Sequence, residues 1–138
     1  AILDEYLQSI REVVDPRDAS DEIDRHVSGA GWAMWIALYG ENVAACVSIH
    51  RMNDSGHYEI KRLYVRPAFR RLGLAADLMD RAEQFASTHG GTAIYLDTKK
   101  TMLGAIELYE RRGYVEIEPY HVTTKADLFL RKTLQPEC

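Results

Sequence analysis

Hydrophobic residues along the first half of the chain follow two spacings, one typical of helices and one typical of strands. Residues 2–14 place apolar side chains every three or four positions and predict an amphipathic helix, and residues 20–28 predict a second, shorter helix. The apolar segments 32–39 and 43–52, separated by a turn, predict a hairpin. Residues 57–65 are rich in aromatic and branched side chains, so we expect them to add a third antiparallel strand.

The second half of the chain predicts a strand–helix–strand unit. Helical spacing from residue 71 to about 89, closed by two glycines, predicts a long amphipathic helix, and the short apolar segment 92–98 predicts a strand. Because a helix joins this strand to the third strand, we expect the two to lie side by side and parallel in a right-handed crossover. A helix at 101–112 and strands at 114–117 and 126–134 complete a mixed α/β fold.

The third strand departs from regular alternation near its middle. Its apolar residues Ile60, Leu63 and Val65 do not hold a period of two across Lys61 and Arg62. One extra residue in a strand breaks the alternation in this way, so the pattern predicts a bulge or a bend. We expect the strand to splay away from its neighbour beyond that point.

A basic loop joins the third strand to the long helix. The segment 61–71 contains five cations and no acid, on a chain whose net charge is −4: Lys61, Arg62, Arg66, Arg70 and Arg71. The first turn of a helix has N–H groups without partners and the positive end of the helix dipole, and Gly73 lets a large anion approach the backbone. These features together predict an anion site suited to a pyrophosphate.

Composition narrows the class of protein. With 138 residues, 46% hydrophobic and 28% charged, the chain predicts one globular domain over residues 1–138. It contains neither an apolar run of roughly 20 residues nor a secretory signal, so we expect a cytoplasmic protein without a membrane partner. Its cysteines, Cys46 and Cys138, are too few for a disulfide framework or a zinc site, and we expect no metal. A sequence pI of about 5.7, without a basic stripe beyond the loop, argues against nucleic acid.

Two stretches in order carry a resemblance to a known family. The spacing Arg-x-x-Gly-x-Ala from Arg70 to Ala75 resembles the acyl-CoA-binding motif of the GNAT N-acetyltransferase superfamily, and residues 105–114 resemble its second motif. The surrounding sequence looks like a branch of small uncharacterised bacterial members. The resemblance implies a central mixed sheet whose parallel strands, 57–65 and 92–98, splay apart. Since members begin with a strand and this chain is predicted to begin in a helix, it also implies that the family's first strand is missing.

The resemblance implies a set of residues for acetyl-CoA as co-substrate. Its pantetheine arm is expected in the gap between the splayed strands, and its pyrophosphate on the loop and the first turn of the long helix. The expected cofactor-binding residues are Leu63, Tyr64, Val65, Arg70, Arg71, Leu72, Gly73, Leu74 and Ala75.

Acetyl transfer to an amine needs a proton acceptor, a polarised thioester carbonyl and a proton or hydrogen bond for the departing thiolate. The resemblance places Tyr109 at the leaving thiolate and Glu59 as the catalytic base. His57, His121 and water remain alternatives for the base, because histidine titrates near neutrality. A backbone N–H of Leu63 or Val65 is expected to polarise the carbonyl.

The expected reaction is direct acetyl transfer to a primary amine of a small molecule or peptide. Cys46 should be buried and Cys138 is terminal, so neither suits a covalent intermediate. Asp97 is expected either to orient an amine or, as the simpler interpretation, to cap the loop at 98–101, and residues 120–127 are expected to border the acceptor. A homodimer is possible. The alternative function is a non-catalytic acyl-CoA-binding or regulatory module; a Rossmann-type dinucleotide binder is disfavoured because the glycine motif does not match.

Overall fold

The computed structural model describes residues 7–13, 31–39, 42–52 and 56–134, so the helix expected at 20–28 lies outside the described residues. Seven strands form one sheet in the order β1-β2-β3-β4-β5-β7-β6. The strands are β1 (Leu7–Val13), β2 (Trp32–Tyr39), β3 (Asn42–Arg51), β4 (His57–Val65), β5 (Ala93–Thr98), β6 (Val115–Ile117) and β7 (Leu128–Thr133). The helices described are α1 (Leu74–Thr88) and α2 (Leu103–Arg111). None of the described helices is long and apolar enough to cross a bilayer.

The sheet is mixed, as predicted. Within the described part of the chain β4 and β5 run parallel, and the other neighbouring strands are antiparallel. The hairpin of β2 and β3, the adjacency of β4 and β5, and the crossover through α1 confirm the predicted order of elements. One parallel pair in an otherwise antiparallel sheet is not the doubly wound sheet of a dinucleotide-binding domain.

The predicted helix over residues 2–14 is wrong for the part that the structure describes. Leu7–Val13 is a strand, and its backbone pairs with β2 from Leu7 opposite Tyr39 to Val13 opposite Met34. The register shifts between Leu7 and Ser9. Such an irregularity interrupts the alternation expected of a strand, so the apolar residues imitate a helical spacing, and pairing with β2 overrides the local preference. The expectation of a missing first strand assumed that the chain begins in a helix. That assumption does not hold at residues 7–13, which form a strand.

Glycines mark the ends of both described helices. Helix α1 begins at Leu74 rather than at 71, because Arg71 and Gly73 have φ angles of 67° and 82° in the left-handed region, which a right-handed helix does not contain. Helix α2 ends before Gly113, whose φ of 94° is typical of a residue that terminates a helix.

The core lies between one face of the sheet and α1. Its fully buried side chains come from β3, β4, β5 and α1 and include Val47, Ile49, Tyr58, Leu78, Met79, Ile94 and Leu96. Because successive side chains of a strand point to opposite faces, Tyr58 and Ile60 enter this core while Glu59 points to the other face. The face opposite α1 therefore carries the polar residues of β4 and β5.

Candidate active site

A gap opens between β4 and β5 where the two strands part. Their pairing covers three residues, His57–Glu59 opposite Ala93–Tyr95, although β4 continues to Val65 and β5 to Thr98. Beyond Glu59, the edge of β4 that faces β5 has no neighbouring strand in the described part of the chain. This is the splay predicted from the sequence, and it leaves backbone groups available to a bound molecule.

A bulge in β4 accounts for the bend. Ser48 lies opposite Lys61 and Cys46 opposite Tyr64, so one residue of β3 faces two of β4, and Arg62 has a φ of 57°. Side chains of β3 satisfy the carbonyls at the bulge. The Ser48 hydroxyl donates to the carbonyl of Lys61 at 3.1 Å, and the Cys46 thiol donates to that of Arg62 at 3.3 Å.

Backbone N–H groups after the bulge point into the gap. The N–H of Arg66 donates to the carbonyl of Ala44 on β3 at 2.9 Å. Since successive N–H groups of a strand point to alternate edges, those of Val65 and Leu63 point to the opposite edge, where β5 has departed. The two residues expected to polarise a carbonyl thus present their donors on the open side of β4.

The turn before α1 has unused backbone donors. The N–H of Asp77 bonds to the carbonyl of Gly73, whereas no acceptor in the described residues takes the N–H groups of Leu72, Gly73, Leu74 and Ala75. No side chain caps the helix. A Cβ built on Gly73 would meet no atom within 4 Å, so the space before these donors is open. An anion is the natural partner for such a helix start.

Positive charge surrounds these donors. Arg70 and Arg71 are exposed, and Arg70 is held by a hydrogen bond from its Nε to the carbonyl of Val65 at 3.0 Å. Arg66 reaches back to the carbonyl of Val43 at 3.4 Å. Tyr64, placed with the cofactor residues by resemblance, is 51% exposed beside the gap and is not a core residue.

A cluster of polar side chains lies on the sheet face opposite α1, where β4 and β5 begin to part. We call it the polar cluster; it comprises His50, Glu59, Lys61, Asp97, Tyr120 and His121. Glu59, 7% exposed, is its centre. The Glu59 carboxylate accepts a hydrogen bond from the Tyr120 hydroxyl at 2.7 Å and lies 3.2 Å from His50 Nε2 and 3.4 Å from Lys61 Nζ.

Asp97 belongs to the same cluster and does not cap the following loop, which corrects the sequence-based expectation. Its Oδ2 lies 2.5 Å from His121 Nε2 and 3.8 Å from Lys61 Nζ. The loop is held instead by Asp127, whose carboxylate accepts from the N–H of Lys100 at 2.7 Å. The segment expected beside the acceptor thus supplies Tyr120 and His121 to the polar cluster.

The surroundings shift the pKa values of two groups in the polar cluster in opposite directions. Burial alone would raise the pKa of Glu59, but hydrogen bonds from His50 and Tyr120 and the charge of Lys61 outweigh burial and lower it. The pKa of Tyr120 is raised by burial and by its bond to the Glu59 carboxylate. At neutral pH the pair is therefore a carboxylate and a neutral phenol.

Three ligand-type atoms in the polar cluster, from Glu59, Asp97 and His121, lie within 4.8 Å of one another. The ammonium of Lys61 contacts both carboxylates, at 3.4 and 3.8 Å. This side chain places a positive charge beside both carboxylates.

Tyr109 on α2 combines a buried ring with an unused hydroxyl. The residue is 6% exposed and packs in the core, with its ring 5.9 Å from that of Tyr114. Its hydroxyl has no hydrogen-bond partner among the described residues, and its oxygen is not fully buried, so it reaches accessible space. Burial, together with the negative charge of Asp97, raises the pKa of Tyr109 to about 12. The hydroxyl is a donor throughout the physiological range.

The structure separates the candidate bases and corrects one expectation. His57 contacts the ring of Tyr95 and makes no hydrogen bond to Glu59 within the described part of the chain, whereas His121 bonds to Asp97 inside the polar cluster. Cys46 is half-buried beside the bulge rather than buried, and burial raises the pKa of its thiol. A protonated thiol is a poor nucleophile. Cys138 lies outside the described residues.

Sequence reasoning did not identify His50, and it placed Lys61 in the basic loop and Tyr120 only within the segment bordering the acceptor, not beside Glu59. Alternation along β3 puts His50 on the face of Ser48, and Lys61 follows Glu59 by two positions, so both could have been placed on this face. Tyr120 lies in a loop 61 residues from Glu59 and carries no periodic signal.

Comparisons with known proteins agree on one family. The family model described as "Acetyltransferase (GNAT) family" matches residues 1–114. An uncharacterised N-acetyltransferase of Schizosaccharomyces pombe is 32% identical over 124 residues, which cover 87% of this chain and 76% of that protein.

Solved structures share the fold. A GNAT-family acetyltransferase of Staphylococcus aureus superposes with a TM-score of 0.75 at 17% identity, covering 92% of this chain and all of the other. The PaiA N-acetyltransferase of Thermoplasma acidophilum, solved in complex with coenzyme A, has a TM-score of 0.65 at 15% identity and covers 75% of this chain and 62% of that one.

Proposed function

Because the chain belongs to the acetyltransferase (GNAT) family and is an acyltransferase, we propose that it transfers the acetyl group of acetyl-CoA directly to a primary amine of a small molecule or peptide. The observation that carries the proposal is the coincidence of three features around one gap. These are the free donors before α1, the open edge of β4, and the polar cluster where β4 and β5 part.

Acetyl-CoA fits the gap and the helix start in one orientation. The pyrophosphate would bind the N–H groups of Leu72, Gly73, Leu74 and Ala75, with Arg70 and Arg71 adding charge. The pantetheine arm would lie along Leu63, Tyr64 and Val65. There it would occupy the position beside β4 that β5 occupies along the paired part of the strand. Supporting this assignment, the donors have no other partner in the described residues and the space before Gly73 is open.

The thioester would then reach the bulge. The N–H of Leu63 or Val65, pointing into the gap, would donate to the carbonyl oxygen as it gains negative charge during attack. The Tyr109 hydroxyl would stabilise the departing thiolate. Its unused donor and its pKa of about 12 suit hydrogen-bond donation to an anion.

The polar cluster would receive the amine. Glu59 is the proposed base, acting directly or through a water, and its charge attracts the ammonium form of the acceptor. The lowered pKa of Glu59 makes it a weak proton acceptor, so a second candidate has specific support. His121 is adjacent, and Asp97 holds its Nε2 and can stabilise the imidazolium that would form.

The test is release of free coenzyme A thiol from acetyl-CoA in the presence of polyamines, amino acids, aminoglycosides and short peptides. We expect thiol release with at least one amine and none without amine. The base is then assigned from pH–rate profiles of Glu59→Gln and His121→Gln, because the variant lacking the base loses the limb on which rate rises with pH. Binding of acetyl-CoA without transfer to any amine would favour the non-catalytic module.

A further inference from the structure

Arg131 on β7 stands out among the half-buried cations. In the part of the chain whose side chains the structure describes, four lysines and arginines are half-buried: Lys61, Arg112, Arg131 and Lys132. Three of them pair with carboxylates: Lys61 with Glu59 and Asp97, Arg112 with Asp80 and Glu83, and Lys132 with Glu83. Arg131 has no carboxylate partner in the described residues, and its Nε is buried without a hydrogen-bond acceptor.

The sheet places Arg131 in one row with Glu59. Glu59 pairs with Tyr95 across β4 and β5, and Tyr95 pairs with Arg131 across β5 and β7. Directly paired residues share a face, so all three side chains project from the face of the polar cluster. Neighbouring strands lie about 4.8 Å apart, which puts the backbones of Glu59 and Arg131 about 10 Å apart.

Ring contacts link the two ends of this row. The Arg131 guanidinium lies over the Tyr95 ring at 5.5 Å, the Tyr95 ring contacts that of Tyr120 at 5.2 Å, and the Tyr120 hydroxyl bonds to Glu59. A cation–π contact offsets part of the cost of leaving a buried donor without a partner. The contact uses the face of the guanidinium, so the terminal N–H groups at its edge have no acceptor among the described residues.

We propose that Arg131 binds a carboxylate of the acceptor, so that the acceptor is an amino acid or a peptide whose amine and carboxylate lie on either side of Tyr95. This inference rests on the proposed function, because Glu59 marks the end at which the amine reacts. A guanidinium binds a carboxylate with two parallel hydrogen bonds, and Arg131 presents its donors on the face that the amine approaches. An acceptor without the carboxylate leaves Arg131 unpaired.

The kinetic test compares acceptors that differ in one charge. Glycine, β-alanine and 4-aminobutyrate are each paired with the corresponding carboxamide, and thiol release is measured for the wild type and Arg131→Gln. For the preferred carboxylate we expect Arg131→Gln to raise KM about 10- to 150-fold, as loss of a charge-assisted pair implies, and to change the KM of the carboxamides and of acetyl-CoA less than twofold. Each acceptor is compared between the wild type and Arg131→Gln, so differences in basicity between the amines do not affect the result.

Two further variants serve as controls. Lys132→Gln removes the same charge from the adjacent residue of β7, whose side chain contacts Glu83, and should leave the preference for the carboxylate intact. Arg131→Lys keeps the charge but not the planar fork and should fall between the wild type and Arg131→Gln. An equal loss with carboxylates and carboxamides, or no loss with either, overturns the proposal.

A binding measurement separates this proposal from the proposed function. The Nε–Hε resonance of Arg131, assigned by its disappearance in Arg131→Gln, is followed by NMR while each carboxylate or carboxamide is added. Saturable shifts with a carboxylate alone support carboxylate binding at Arg131 even where no thiol is released; the proposed transfer then fails, and with it the role of that carboxylate in an acceptor. If the protein acetylates carboxamides and no carboxylate shifts the Arg131 resonance, the proposed transfer stands and the inference about Arg131 fails.

Discussion

Replacing Tyr109 with phenylalanine tests the assignment of the thiolate partner. The hydroxyl has no hydrogen-bond partner among the described residues, so its removal should change the free energy of unfolding by less than about 0.5 kcal/mol. Its pKa of about 12 is above that of a thiol, which is about 8.5, so complete proton transfer to the thiolate would be uphill by about 5 kcal/mol. The structure thus favours a hydrogen bond over a transferred proton.

That distinction sets the size of the effect. A hydrogen bond to a charged group contributes about 1.5–3 kcal/mol, which corresponds to a fall in kcat of about 10- to 150-fold for Tyr109→Phe. The assay measures kcat by thiol release with the acceptor found in the screen, and the acetyl-CoA dissociation constant by calorimetry. The dissociation constant should stay within about twofold, because the interaction strengthens only as the thiolate forms.

Tyr114→Phe is the matched control. Its ring neighbours that of Tyr109, but its hydroxyl donates to the Glu83 carboxylate at 2.9 Å. Removing it should therefore lower stability by about 1.5–3 kcal/mol and leave kcat unchanged. Full kcat in Tyr109→Phe refutes the assignment, and an equal loss of cofactor affinity and rate would identify a binding residue instead.

Three further predictions concern the anion site and Glu59. Gly73→Glu should abolish acetyl-CoA binding in calorimetry, since it places a carboxylate at the helix start, whereas Gly73→Ala, with the same strain at φ 82°, should bind more weakly but measurably. Arg70→Ala should weaken acetyl-CoA binding by about 1–3 kcal/mol at low salt and less at high salt, and Arg111→Ala, whose exposed side chain lies on α2, should not. Glu59 should make stability depend on pH: its contribution is complete above the unfolded value of 4.5 and is lost as pH falls through the lower folded value. Melting temperatures from pH 7 to 3 should therefore fall more steeply for the wild type than for Glu59→Gln, and parallel curves would contradict the lowered pKa.

Secondary structure is predicted best where a local pattern of apolar residues is compatible with only one type of element. Strand β4 is observed with the predicted bounds, and α1 and α2 each begin within three residues of their predicted starts. Residues 7–13 fail because their spacing suits a helix locally while their backbone pairs with β2, and nothing in those seven residues indicates that pairing. Strand pairing is a contact with a distant segment, so a local pattern cannot specify it.

The two parts of the candidate site also differ in how far the sequence predicts them. The anion site is built from consecutive residues, and its donors, its glycine and its arginines are visible in one stretch of sequence. The polar cluster joins β3, β4, β5 and the loop before β7, and Glu59 meets Tyr120 only because strand order brings them together. Asp97 shows the consequence: local reasoning made it a cap of its own loop, whereas its partners are Lys61 and His121.

The bulge at Arg62 connects the core to the chemistry. Before the bulge, the even-numbered residues Tyr58 and Ile60 face the core. After it, the odd-numbered residues Leu63 and Val65 do, because the extra residue shifts the alternation by one position. Without that shift, a strand bending away from β5 would have to expose its apolar side chains or bury its polar ones. The bulge lets β4 leave β5 and open the gap between the two strands, while the same face remains packed against the core. The irregular apolar spacing in the sequence therefore corresponds to the bend that opens the gap.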